Sequence, residues 1–300
     1  MRKSLVAALV AVVTAGLSVG PGTPATAASE YCGRTVPNTS ILFYNEWTGA
    51  AVTGTLAAGR WQQKAAFTLP DRYSNAVVSR DTLLIWNSLT GDGESGTFTE
   101  GKYTRVKTFA DSLRSGSATA SGDSVLFIDR WSRRGSTGSL KNGVYEQVRT
   151  YDGFGGAWDV VATSCDTMIF QRATGETDED HRGALAYGTL ENGVYTKAGS
   201  RDGDAVLRDM TATKDSVLAF SDTDAEFVYK AASATDGTVG AFRDTGTSGI
   251  WEKVSRTADS LLFYASDGTA RTATLSGGRY ADVGPLAGLS PGWTIIAGGV

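Results

Sequence analysis

One histidine and two cysteines in 300 residues exclude a good deal of chemistry. A multi-histidine metal centre, a cysteine-rich zinc site and a disulfide-dense scaffold all need more of these side chains than the chain owns. Basic residues are not in excess, with 28 Lys and Arg against 32 Asp and Glu, so no cationic stripe is available to neutralise nucleic-acid phosphates. Proline is scarce at 6 residues and helical periodicity is nearly absent. What is plentiful is glycine, at 37 residues, a composition suited to many short strands joined by tight turns.

The only long apolar run lies at the start. Arg2 and Lys3 precede an apolar stretch from Leu5 to Leu17, and Ala25-Thr26-Ala27 offers a small-residue cleavage site, so residues 1–27 read as a secretory signal peptide. The mature chain is expected to begin near Ala28 with 26 basic and 32 acidic residues, and to be secreted and extracellular, without membrane insertion and without a nucleic-acid partner. In an oxidising compartment Cys32 and Cys165 are expected to form a disulfide.

A six-fold repeat dominates the rest. Each copy opens with an apolar run after Ser or Thr, at Ser40, Thr82, Ser124, Thr167, Ser216 and Ser260, with spacings of 42, 42, 43, 49 and 44 residues. Glycine-led segments follow, such as Gly54-Thr55-Leu56 and Gly96-Thr97-Phe98, and then a second glycine two residues before an aromatic: Gly59 with Trp61, Gly101 with Tyr103, Gly143 with Tyr145, Gly193 with Tyr195, Gly278 with Tyr280. Asn142-Gly143 and Asn192-Gly193 are hairpin-turn dipeptides. Repeat 5 is the poorest copy and is matched through Gly240-Ala241-Phe242.

Segments such as Trp158–Thr163 and Trp293–Ala297 precede the apolar runs; elsewhere they are small, as in Ser117–Ala120. They read as strand a, crowded against a central axis, with the apolar run as strand b. The first repeat lacks a strand a and the last lacks a strand b, so the C-terminal strand is expected to complete the N-terminal blade. The expectation is all-β: a six-bladed β-propeller over residues 41–300, behind a tail at 28–40. Nine steps of chain from Cys32 to Ile41 extend about 30 Å, enough for that tail to cross the face where strands a and b join. Ligands would then use the opposite face, from which the b–c and d–a loops emerge.

Asp-Ser/Thr stands between strands a and b in five copies, at Asp81, Asp123, Asp166, Asp215 and Asp259, and is read as a side chain bonding its own backbone turn. The repeated aromatics, Phe242 included, are read as packing. Less regular residues after strand b are the candidate ligand contacts: Tyr44, Asn45 and Trp47; Trp86 and Asn87; Asp129 and Trp131. An indole beside an amide or carboxylate can cover sugar C–H groups while the polar side chain bonds hydroxyls. The insertion Gly175–His181 and the acids Asp222, Asp224 and Glu226 read as solvated loops, so neither a metal nor a cofactor is expected.

The succession of Trp, Asp-Ser/Thr, Leu-Leu-Phe-Tyr and Gly-Thr-Leu-x-x-Gly-x-Tyr resembles the repeats of secreted bacterial tachylectin-like propellers over residues 41–300. The resemblance implies a lectin-like protein binding glycans such as N-acetylated sugars or cell-wall polysaccharide, one weak site per blade. Repeats 4 and 5 lack the Tyr-Asn or Trp-Asn pair and repeat 6 has Tyr264-Ala265, which leaves blades 1 to 3 as the expected binders in a monomer. Two other classes stay open: a protein-docking or structural exoprotein, and a propeller hydrolase or lyase, for which no sialidase box, nucleophile elbow or histidine set is found.

Overall fold

The computed structural model describes residues 38–128, 134–152, 158–172, 184–202, 207–223 and 226–300, and these build a six-bladed β-propeller. Residues 1–27, Cys32, Asp129, Trp131, Asp224 and the insertion with His181 lie outside the described residues.

Each blade is an antiparallel sheet in the order a-b-c-d. The innermost strands are Asn75–Val78, Ala118–Ala120, Trp158–Thr163, Leu207–Ala212, Lys253–Arg256 and Ile295–Gly298, each packed against the next around a central channel. Small residues at these positions let six backbones converge. Strand b carries the apolar run and is fully buried in Ser40–Tyr44, Thr82–Trp86, Ser124–Ile128 and Ser260–Tyr264. Both of its faces pack on neighbouring blades, so it reads as a continuous apolar run, whereas the outer strands d, such as Lys102–Phe109, are largely solvated. The C-terminal strand Ile295–Gly298 pairs with Ser40–Tyr44 in the register Leu42↔Ala297 and closes blade 1.

Two of the repeated features have roles other than those read from the sequence. The Asp-Ser/Thr pair does not serve its own turn alone: it clasps the c–d hairpin of the following blade. Asn142 N–H donates to Asp81 at 3.0 Å and Gly143 N–H to Thr82 Oγ1 at 2.8 Å. The same pair of bonds joins Asn192 and Gly193 to Asp123 and Ser124, Gly277 and Gly278 to Asp215 and Ser216, and Ala58 and Gly59 to Asp259 and Ser260. Blade 1 has Ser40 Oγ on Gly101 N–H and no acid. The second correction concerns blade 5. Its hairpin is Asp236-Gly237, with φ of 52° and 69°, so Val239, not Phe242, occupies the repeated aromatic position.

Beneath the a–b turns runs a second ring. Ser79, Ser121, Ser164, Thr213 and Thr257 donate their hydroxyls to Leu140, Leu190, Ala234, Leu275 and Leu56 carbonyls of the next blade. Blade 1, whose strand a arrives from the other end of the chain, has no such turn. Asn38 takes its place: Nδ2 donates to Phe98 O and Ser79 O, and Oδ1 accepts Ser40 N–H. Its carbonyl accepts Ala258 N–H, the last bond in a backbone chain that runs from Arg80 to Gly122, Cys165, Lys214 and Ala258. The chain therefore enters the propeller on the a–b face, in the ring that also holds Cys165.

Candidate functional site on the b–c and d–a loops

The described candidate residues sort into three kinds. Tyr44 and Trp86 end strand b and are buried. Tyr44 Oη donates to Asp71 O and accepts Tyr73 N–H, while Trp86 Nε1 donates to Ser115 O. Each thus ties a strand end to the d–a loop that leaves its own blade. Burial and its charged neighbours raise the Tyr44 phenol above its ordinary range, so it stays a donor.

Asn45 and Asn87 shape the loops. Asn45 Oδ1 accepts the N–H groups of Trp47 and Thr48, and Asn87 Oδ1 those of Leu89 and Thr90, an Asx turn in both blades. Their Nδ2 groups reach across to the d–a loop that enters the blade, at Gly292 O and Arg72 O respectively. Each asparagine keeps one amide hydrogen without a partner among the described residues. Trp47 is the third kind: at 68% exposure it stands at the tip of its loop, with Leu89 at the same place in blade 2 at 81%.

Blade 2 gathers these loops around a cleft of about 610 Å³. Asp71, Arg72 and Tyr73 come from the entering d–a loop, Asn87, Thr90 and Asp92 from the b–c loop, and Thr108 to Ala110 from the end of strand d. The b–c loop is held by Ser112 and Leu113 N–H on Gly91 O and by Asp111 N–H on Asp92 Oδ1. The walls therefore come from segments fixed to one another by hydrogen bonds of backbone and side chain.

Under the cleft lies Glu94, 1% exposed. Tyr103 Oη donates to it at 2.8 Å, Tyr73 Oη lies 3.1 Å away, and Arg105 pairs with it at 3.4 Å. Burial, reinforced by the Glu94 charge, drives both phenols far above their ordinary range, so both remain protonated donors. The matching positions facing strand b are Val52, Ser136, Ala186 and Arg271 in blades 1, 3, 4 and 6. Glu94 is thus particular to blade 2, and it fixes Tyr73 in the cleft wall. Sequence reading missed Asp71 and Arg72, which lie on a d–a loop that does not repeat, and also Asp92 and Phe109; Glu94, the one acid in a register that elsewhere holds Val52, Ser136, Ala186, Lys230 and Arg271, was the available signal.

The cleft offers carboxylates, one exposed guanidinium, the hydroxyls of Thr90 and Thr108 and the Asn87 amide alongside Phe109, groups able to bond a polyhydroxylated ligand. Among the described residues no group of three or more His, Cys, Asp or Glu could hold a metal ion.

No family model matches the sequence, and no curated protein matches it. Solved structures share its fold. A protein of unknown function from Desulfotomaculum acetoxidans is similar with a TM-score of 0.54 at 10% identity, over 87% of this chain and 86% of its own. A candidate 6-phosphogluconolactonase from Bacteroides uniformis is similar at 0.51 and 10%, over 86% and 98%. A chain of the nidogen/laminin complex reaches 0.50 at 9% identity, over 86% and 96%.

Proposed function

We propose that this chain is a secreted carbohydrate-binding propeller that engages glycans through the b–c and d–a loops of blades 1 to 3. The observation that carries the reading is the blade 2 cleft, which half-buried Phe109 lines together with Asp71, Arg72, Asn87, Thr90 and Asp92. Tyr44 and Trp86 hold the loops in place, Asn45 and Asn87 present an amide hydrogen each, and Trp47 adds an exposed indole in blade 1. Asp129 and Trp131 are assigned the corresponding contacts in blade 3. N-acetylated sugars and cell-wall polysaccharide are the ligand class, and the protein acts as a monomer without cofactor or metal.

A single shallow sugar site reaches only about millimolar affinity, roughly −4 kcal/mol, so retention on a polysaccharide rests on two or three blades acting together. The fold shared with a candidate phosphogluconolactonase does not carry that activity over, and two carboxylates, Asp71 and Asp92, line the cleft with the single cation Arg72, which disfavours a phosphoryl group there.

A glycan array probed with the mature protein, with calcium and with chelator, tests the reading. Selective binding to one sugar class, lost in the F109A and W47A variants, supports it. A blank array at high protein density overturns it in favour of a protein-docking or structural role, the reading that exposed Trp47 and Leu89 at neighbouring loop tips would then support.

A further inference from the structure

In the wall of the blade 2 cleft one hydrogen stands between two acids. Tyr73 Oη lies 3.1 Å from Glu94 Oε2 and 3.3 Å from Asp71 Oδ2, and a phenol has a single hydrogen to give. Burial, then the charges of the two acids, hold the phenol far above its ordinary range, so that hydrogen stays on Tyr73. It serves Glu94, the nearer acid and only 1% exposed, because an unmet acceptor costs more away from water. Asp71 then faces a phenol lone pair. It is exposed on the cleft wall and has no other protein donor among the described residues.

The charges around it have the same sense. Asp71 and Asp92 line the cleft against one cation, Arg72. The two neighbouring arginines add nothing to Arg72, since Arg114 is paired with Asp111 at 2.5 Å and Arg105 with Glu94 at 3.4 Å. Asp92 Oδ1 accepts Asp111 N–H, and its other oxygen meets no protein donor among the described residues. Asn87, Thr90 and Thr108 stand beside these acids as neutral hydrogen-bonding groups. A ligand that answers both sets carries hydroxyls and a primary ammonium, whose bonds to carboxylate are charge-assisted. An acetamido group brings one N–H and no charge, so it leaves the excess carboxylate unanswered.

We propose that the blade 2 cleft selects the free amino group of a de-N-acetylated hexosamine, its ammonium on Asp71 with Asp92 close by and its hydroxyls on Asn87, Thr90 and Thr108. The proposal rests on the glycan reading and narrows it for this blade. Titration of the mature protein with a glucosamine trimer in mildly acidic buffer, where the sugar amine is protonated, tests it. The N-acetylglucosamine trimer and trilysine at matched ionic strength are the comparators. Following the backbone amides of Thr90 and Thr108 by NMR reads blade 2 apart from the other blades. The glucosamine trimer should bind at least fivefold more tightly than either comparator. D71N should bring the two sugar trimers within twofold of each other, D92N should reduce the preference at least twofold, and E146Q, which removes an exposed charge from an outer strand of blade 3, should keep it. Acetylated trimer bound as tightly as the free amine overturns the ammonium assignment and leaves the glycan reading standing. Trilysine bound as tightly as the sugar shows that charge alone is read and overturns the hexosamine assignment. No shift with either sugar trimer overturns the proposal, and the glycan array then decides the broader reading. A preference unchanged in D71N overturns it as well; if D71N fails to fold, D92N decides.

Discussion

The backbone N–H of Asn142 donates to the Asp81 carboxylate at 3.0 Å, joining residues 61 positions apart in neighbouring blades. Beside it, Gly143 N–H meets Thr82 Oγ1, which itself donates to Asp81 Oδ1 at 2.7 Å. Blade order is thus written into a two-residue motif. T82V keeps the shape of the fully buried side chain but strands the Gly143 N–H, so it should cost about 1–3 kcal/mol. D81N retains an acceptor and should cost less, about 1 kcal/mol or under, because the carboxylate is partly solvated. Urea denaturation of both variants would show it, and equal stability of T82V and wild type would contradict the clasp.

The hairpins that enter these clasps have no room for a side chain. Gly101 has φ of 73°, and a Cβ there would lie 2.7 Å from the Gly54 backbone of the preceding blade. G101A should therefore destabilise through both backbone strain and blade separation, by about 1–3 kcal/mol. At Gly116 a Cβ would meet no atom within 4 Å and the backbone has no positive φ, so G116A is the matched control and should leave the denaturation midpoint nearly unchanged.

The fold was legible because its period is local: apolar runs, hairpin dipeptides and mismatched chain ends are all visible within a few dozen residues. The site was legible only in part. The pairs Tyr44-Asn45 and Trp86-Asn87 stand out in the sequence, yet what their side chains do depends on carbonyls of distant loops, such as Gly292 O for Asn45, 247 positions away. Blade 5 shows the limit of pattern matching, since both Gly237 and Gly240 fit the repeat and only the positive φ at Asp236-Gly237 separates them. Asn38 left no repeat signal because it does once what hydroxyl residues do in five other blades.

That single use makes Asn38 a sharp test of closure. N38A removes two donors, leaving the Ser79 and Phe98 carbonyls buried without their partners, and frees Ser40 N–H. A loss of about 2–4 kcal/mol is expected. Because Asn38 fastens the b strand that the C-terminal strand must find, hydrogen exchange should rise first in Leu42–Tyr44 and Ile295–Gly298; uniform loosening of all blades would argue against this role.

Asp166 is buried at 4% exposure, and burial raises its carboxyl above the ordinary 3.8, with the Thr167 hydroxyl and Asp236 backbone pulling the other way. A carboxyl whose folded pKa lies above its unfolded value holds its proton better in the folded state. Its contribution is fully present below the unfolded value and is lost as pH rises through the folded one. D166N cannot titrate, so wild-type stability minus that of D166N should fall as pH is raised from about 3 to 7. A difference that is flat or rises over that range in urea titrations would refute the assignment.

Asn38 and Cys165 sit in one hydrogen-bonded ring on the a–b face, Asn38 O taking Ala258 N–H and Cys165 O taking Gly122 N–H. The tail that precedes Asn38 therefore starts on the face that carries Cys165, six residues after Cys32. We propose that the two cysteines are joined and that the tail lies across this face, directing ligands to the b–c side. A disulfide closing a loop on the order of 100 residues or more contributes about 4–5 kcal/mol in the chain-entropy account. Peptide mapping without reductant should yield a Cys32–Cys165 cross-link, and C32S should lower the melting temperature while leaving glycan binding intact, since the bond acts on the face away from the cleft. Recovery of two alkylatable thiols from the secreted protein would remove both the bond and the argument for which face stays open.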